Sequence, residues 1–336
     1  PAEYAGKRIA LCFDDVDYIA RVWVNGQYIG EHTGSNVPFS FDITQAVNVG
    51  GVNMLTVLVS DPPSGISVFM DTHSLLRISG IKLAVDGYAL MHNPPEDRRD
   101  MGIPMHPQDQ FEAIIAVIHK AGLTADVHAV GDKGVDWTLD AFQKAAGSAR
   151  EVRKMRHRIE HFPFLKADSI RRAADLGVPV CTQPALIDVR ADDFIHDFDR
   201  LGANGKQLVQ TMVPLRTFQK AGVAVCFGAD VPAFPSYRPL DSIRCAMARR
   251  TASGLPLDRG EAVPFLDALK LHTLAGAHAA FDEDKLGSLE AGKLADFVVW
   301  SKDLTKIAAD RDLADLEVHA TFVDGKAVYR KGGQDV

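Results

Sequence analysis

Residues 124–147 read TADVHAVGDKGVDWTLDAFQKAAG: a short β-rich run, a glycine turn, then an amphipathic helix that stops at Gly147. The same grammar recurs on both sides of it. Strands are predicted at 81–85 (IKLAV), 125–130 (ADVHAV), 157–162 (HRIEHF), 179–183 (PVCTQ) and 223–228 (VAVCFG). Helical stretches fall between them at 108–122, 134–147, 166–177 and 205–222, each ending in or just before glycine. Strand alternating with helix implies a parallel sheet covered by helices, here part of a (β/α) barrel of the TIM type.

Outside this region the period changes. From Tyr4 to Asp61 the chain alternates in twos through RIALCFDDV, ARVWVNGQYIG, FSFDI and NMLTVLVSD. Asn25-Gly26 between two β-rich runs is a hairpin turn, because both turn positions need positive φ. The last segment, GSLEAGKLADFVVWSKD followed by EVHATFVDGKAVYR, returns to β with Asp324-Gly325 as a second hairpin turn. The expected class is therefore multidomain, β plus α/β. A partial, jelly-roll-like β-sandwich over 1–65 precedes an incomplete (β/α) barrel over 76–286 and a small β segment over 287–336.

Composition excludes several functions. With 336 residues, 46% of them hydrophobic, the core is ample. A net charge of −7, with 37 basic residues spread along the chain, gives no clustered basic face for nucleic acid. No apolar run reaches the length of a membrane span, so no membrane partner is expected. Cys12, Cys181, Cys226 and Cys245 form no C-x-x-C pair, which points to a reducing compartment and a cytoplasmic location by default. The chain starts at Pro1 rather than Met, which hints at a fragment.

The first segment resembles the sugar-binding β-sandwich of glycoside hydrolase family 2. The residues that carry the likeness are LCFDDVDYIARVWVNGQYIGEHTGSNVPFSFDIT and the closing NMLTVLVSD. In that family the catalytic acid follows an asparagine as Asn-Glu, and no such dipeptide exists here. The resemblance implies a carbohydrate partner. Trp23, however, lies in period two with Val22 and Val24 beside the turn and is expected to pack the sheet.

Four polar residues sit near the ends of the apolar strands: Lys82, His128, His161 and Asp230. A barrel gathers such strand ends at its C-terminal face, where imidazoles and carboxylates hold zinc or a similar metal and leave a position for water. With the surrounding GIKLAVDG, VHAVGDKGVDWTLDAF, RHRIEHF, TQP at 182–184, GADVP and GSLEAGKLADFVVW, residues 79–330 resemble a metal-dependent amidohydrolase of the amidohydrolase-3 or exoenzyme-regulatory type. That resemblance implies Lys82 as a carboxylated bridging ligand and His128 and His161 as ligands from successive strands. It makes Asp230 both ligand and general base, with one or two zinc or other divalent ions bound. The implied reaction is hydrolysis of a non-peptide amide or cyclic amide C–N bond in a small-molecule substrate by a metal-activated water.

The chain departs from the family at one place. No His-x-His pair occurs in the 336 residues, and Asp71-Thr72-His73 is the nearest string. The five strands answer to the fourth through eighth of the family's barrel, so the hydrolase is expected to be impaired by loss of the first strands. An open half-barrel also exposes unpaired strand edges, a recognised aggregation hazard, and an oligomer stays open as an expectation. Gln183 is expected to orient substrate, and His157 to be structural on the same strand face as His161. Glu160 belongs to the other face, and Arg244, Arg249 and Arg250 are read as solvated. Two non-enzymatic readings stand beside the hydrolase: a carbohydrate-associated or scaffold module, and a chimera of two fragments without joint function.

Overall fold

A computed structural model describes residues 6–13, 19–33, 39–51, 53–60, 80–88, 102–198, 202–231, 233–234 and 236–333. The chain divides into two compact units, Pro1–Gly65 and Ile66–Val336. The stretch between the predicted segments 1–65 and 76–286, with its Asp71-Thr72-His73 string, lies outside the described residues.

The first unit holds five strands: β1 (Ala10–Phe13), β2 (Ile19–Val24), β3 (Gln27–Thr33), β4 (Phe39–Asp42) and β5 (Leu55–Ser60). β1 pairs antiparallel with β4, and β2 lies between β3 and β5. Asn25 (φ 52°) and Gly26 (φ 81°) make the turn joining β2 to β3, as the Asn-Gly pair predicts. Trp23 packs at a tilt on its cross-strand neighbour Tyr28 at 5.3 Å, and His32 stacks on Phe39 at 4.0 Å. Trp23 is engaged within its own sheet, and His32 by a ring of the β1–β4 sheet.

In the second unit, β6 (Gly80–Ala84) leads to a two-stranded ribbon of β7 (Asp86–Tyr88) and β8 (Ile103–Pro104). Helix and strand then alternate: α1 (Gln108–Lys120), β9 (Thr124–Ala129), α2 (Asp132–Ala146), α3 (Ala149–Met155), β10 (Arg158–His161), α4 (Ala167–Leu176) and β11 (Val180–Thr182). Four helices follow, α5 (Leu186–Val189), α6 (Ala191–Asp197), α7 (Gly202–Gln210) and α8 (Leu215–Ala221), before β12 (Val225–Phe227). After it come α9 (Pro239–Ala248), α10 (Phe265–His272), α11 (Leu274–Ala279) and a three-stranded antiparallel sheet of β13 (Phe297–Trp300), β14 (Val318–Val323) and β15 (Lys326–Arg330).

The five predicted strands form one parallel sheet in the order β12-β11-β10-β9-β6. Its register aligns Leu83, Val127, Ile159, Val180 and Val225 in a single apolar row. All five are at most 5% exposed, on the face that the helices cover. At roughly 1.5–3 kcal/mol for each fully buried aliphatic side chain, this row and the helices over it dominate the unit's stability.

Two expectations need correction. The stretch 205–222 is not one helix but α7 and α8, broken where Val213 takes φ 52° before Pro214. Proline disfavours the helical region for the residue before it and has no N–H to continue the ladder. Arg249 is not solvated but fully buried. Its guanidinium donates to the carbonyls of Met212 (2.7 Å), Val213 and Asp258, so it ties that same break to the loop after α9. Among the described residues, no helix is long and apolar enough to cross a membrane.

Candidate active site

Directly paired residues in a parallel sheet point to the same face, and one step along each strand reverses it. Next to the apolar row therefore lies a second row facing the opposite way: Ala84, His128, Glu160, Cys181 and Cys226. Two residues nearer the strand starts, Lys82, Asp126 and Arg158 align on this same face. The sheet thus has one apolar and one ionisable surface.

The charges of the lower row are mutually compensated. Arg158 reaches Asp126 at 2.9 Å and also donates to Glu160. Burial pushes the Asp126 carboxyl up to about 6, against the pull of the Arg158 and Lys82 charges. For Glu160, burial acts in the same direction, yet Arg158 and Lys82 outweigh it and hold the carboxyl below its ordinary range. Lys82 is accordingly embedded among carboxylates, directly across from Asp126.

Strand alternation alone would put His161 with Ile159 on the helix-covered face. The backbone prevents it. His161 has φ 81° and Phe162 φ 45°, so the chain turns out of the strand as it ends. The His161 ring comes to 4.4 Å from the His128 ring, nearly perpendicular to it. Left-handed backbone at two non-glycine residues is costly, and its persistence at a strand end fits a functional position.

Both rings are held neutral. Burial, then the nearby His161 and Lys82 charges, push His128 down to about 3. Burial and Lys82 lower His161 too, against the opposing influence of Asp230, Gln183 and Glu160. His128 Nε2 stands 3.5 Å from Asp86 Oδ1, and with the ring uncharged this is a polar contact rather than an ion pair. His161 Nδ1 lies 2.6 Å from Gln183 Oε1. The amide of Gln183 is oriented by its own donation to the Cys181 carbonyl at 3.3 Å. Its oxygen must then face the ring, so His161 Nδ1 carries the proton and donates, leaving Nε2 with a free lone pair.

Sequence reasoning missed Asp86. It is fully buried, and its carboxylate accepts from the backbone N–H groups of Val130 (3.1 Å) and Gly131 (2.8 Å) at the start of α2. A carboxylate there meets both unpaired helix-start donors and the positive end of the helix dipole. The fit is close, since a Cβ on Gly134 would stand 2.9 Å from Asp86 Oδ2. The signal was present in GIKLAVDG, where an aspartate directly follows the lysine strand. His157, by contrast, lies on the helix face and not with His161. It is fully buried against Phe142, accepts from Ala125 N–H at 3.0 Å and meets His119 at 3.0 Å.

The structure thus brings His128, His161 and Gln183 together, with Lys82 one row below. Asp230 follows β12 with φ 53° and influences His161 electrostatically. Among the described residues, no group of three His, Cys, Asp or Glu side chains is close enough to hold a metal ion. Two adjacent neutral imidazoles, one with its far nitrogen fixed by an amide, do fit a divalent cation as partial donors.

Known proteins agree with this architecture. Residues 55–329 match the family described as "Amidohydrolase family", and residues 1–94 match "Glycosyl hydrolases family 2, sugar binding domain". The chain is 30% identical over 265 residues to N-substituted formamide deformylase of Arthrobacter pascens, which covers 77% of this chain and 47% of that protein. Its N-terminal part is 39% identical over 69 residues to a beta-galactosidase of Thermoanaerobacter pseudethanolicus, 18% of this chain and 9% of that enzyme. An uncharacterized metal-dependent hydrolase from Pyrococcus horikoshii shares the fold, with TM-score 0.55 and 24% identity over 67% of this chain and 44% of that one. The chain spans about half the length of the curated relatives it matches over its amidohydrolase part. By its match over 55–329 the chain belongs to the amidohydrolase family, with a family 2 sugar-binding-type segment at its N-terminus.

Proposed function

We propose that the Ile66–Val336 unit is a divalent-metal-binding hydrolase module for the C–N bond of a small, non-peptide amide. The observation that carries this reading is the His128–His161 pair, two neutral imidazoles 4.4 Å apart at the ends of adjacent parallel strands. His128 and His161 would hold the metal, zinc being the natural choice for imidazole donors, with Lys82 and Asp230 as the remaining candidates. A metal bound there would polarise an amide carbonyl and make water acidic near neutral pH. Asp230 would take up and return the proton to the leaving nitrogen, and Gln183 would keep His161 in the Nδ1–H tautomer. The similarity to a formamide deformylase supports an N-substituted amide as the substrate class. The chain lacks the His-x-His pair of the family pattern, so fewer imidazoles remain to hold the metal and the activity is impaired.

Zinc titration of the full chain by calorimetry, in the presence of bicarbonate, tests the reading. Binding that is lost in His128→Ala and in His161→Ala supports it. Zinc uptake unchanged in both variants, or no uptake by the parent chain, removes it. Hydrolysis of an N-substituted formamide with and without zinc then tests the substrate class.

For Pro1–Gly65 the match to sugar-binding domains supports a second reading, a carbohydrate-associated module. The engagement of Trp23 with Tyr28 and of His32 with Phe39 favours a structural role for those rings instead. Titration with simple galactosides and glucuronides decides between them, since saturable heat would require a sugar site.

A further inference from the structure

We propose that Cys181 and Cys226 form a reversible oxidation site, in which a small-molecule disulfide oxidises the pair to a cross-strand disulfide between β11 and β12. The two residues are direct partners in the parallel ladder and lie on the same face of the sheet. Both are free thiols, and the Cys181 thiol lies near enough to Cys226 and to the Glu160 carboxylate to be influenced by both. Neighbouring strands lie about 4.7–4.9 Å apart, inside the Cα separation of about 4.4–6.8 Å that a disulfide spans. The Cβ atoms must come to about 3.5–4.5 Å, so the strands have to draw slightly together. β12 can move more readily than an interior strand, because among the described residues β11 is its only pairing partner.

Access exists beside β12, where a groove reaches residues from both faces of the strand. An apolar groove beside β12, lined by Pro179, Val225, Cys226, Leu271, Leu274 and Ala275, opens onto the Cys226 position. A small disulfide entering there is attacked by the Cys226 sulfur. Its S–S bond breaks, one thiol leaves, and Cys226 carries a mixed disulfide. The Cys181 sulfur then attacks Cys226, expelling the second thiol and closing the cross-strand bond. Two protein thiols are oxidised, one external disulfide is reduced to two thiols, and both protein protons end on the released thiols. A bond closed under strain is the readily reduced kind, so the step reverses with excess thiol.

The consequence reaches the candidate active site through one residue. Cys181 offers its carbonyl to the Gln183 amide and has its sulfur 3.9 Å from that same nitrogen. Gly228, two residues after Cys226, leaves little room there, since a Cβ would meet the Cys181 sulfur at 3.1 Å and the Gln183 nitrogen at 3.2 Å. Drawing Cys181 toward Cys226 therefore shifts the amide that orients His161.

The test uses the full native chain with excess bis(2-hydroxyethyl) disulfide, then alkylation, digestion and mass spectrometry without reduction. The expected product is a peptide pair linked through Cys181 and Cys226 that disappears after dithiothreitol. A parallel reaction in urea is the control for folding. The proposal is overturned if both cysteines are recovered alkylated, if they carry separate hydroxyethyl adducts, if they link instead to Cys12 or Cys245, or if the pair links only in urea.

Discussion

On one face of the parallel sheet Leu83, Val127, Ile159, Val180 and Val225 make an apolar row under helices. One residue along, on the other face, His128, Glu160, Cys181 and Cys226 make a row of ionisable groups beside Ala84 and above the Arg158–Asp126 pair. The first face is held by area removed from water, which tolerates no charge and needs no partner. The second sets opposite charges side by side, Arg158 lying against both Asp126 and Glu160. Burial that simply stabilises Ile159 is, for Glu160, a penalty that Arg158 must offset.

The largest effect is expected on the apolar side. Ile159→Ala removes a fully buried side chain from the centre of the row, and urea unfolding should show a loss of about 4 kcal/mol. A loss below about 1 kcal/mol would mean that the sheet relaxes around the cavity and that the row is not close-packed.

Arg158→Met sharpens the contrast from the other face. It leaves Asp126 and Glu160 with one cation fewer, and should cost about 3 kcal/mol at pH 7. The cost should shrink on acidification. The folded Asp126 carboxyl titrates at about 6, above its ordinary 3.8, so it holds a proton that the unfolded chain has already released between those values. For this group alone, stability falls as pH rises through that window. Equal costs at pH 5 and pH 7 would show that the charge of Asp126 is not what Arg158 offsets.

How far these two faces could be read in advance differs sharply. Apolar runs fixed the strands to within a residue or two, because burial on a sheet leaves a continuous signature in sequence. The polar face was legible only as isolated residues. Alternation misplaces His161, whose ring reaches His128 through a left-handed turn that no hydrophobic pattern encodes. Asp86 acts on a helix start 45 residues away, so its role depends on a pairing between β6 and β9 that sequence spacing does not show. Arg249 was misread for a related reason, since its partners are backbone carbonyls that composition cannot reveal.

His157 belongs to the helix face although its residue type belongs to the other, and it makes that face sensitive to acid. Burial, then the charge of His119, push it down to about 4 from an ordinary 6.5. The unfolded chain takes up the proton across that window while the folded chain does not, so stability falls as pH drops from about 6.5 to about 4. His128 and His272 are lowered by burial in the same direction, and three histidines outweigh the opposite trend of Asp126. His157→Asn keeps an acceptor for the Ala125 N–H and removes the titration. It should flatten the acid limb of stability against pH by roughly 2–3 kcal/mol over the window. An unchanged slope would transfer the acid sensitivity to other groups.

The smallest change tests how the polar face is organised rather than whether it folds. In Gln183→Leu the His161 Nδ1–H loses its acceptor inside the fold, a penalty of about 1–2 kcal/mol readable in urea unfolding. Stability alone would not separate this from a packing defect, because Gln183 is itself buried. The imidazole nitrogen shifts do. In the parent chain His161 should give the signature of a protonated Nδ1 and an unprotonated Nε2, and in Gln183→Leu that preference should collapse toward a mixture of tautomers. Gln183→Glu should restore it, since a carboxylate oxygen accepts from the same nitrogen. If both variants keep the parent's shifts, Gln183 does not orient His161. The polar face would then owe its geometry to the left-handed turn at His161 and Phe162 alone, and the two faces would differ in charge but not in how their side chains are positioned.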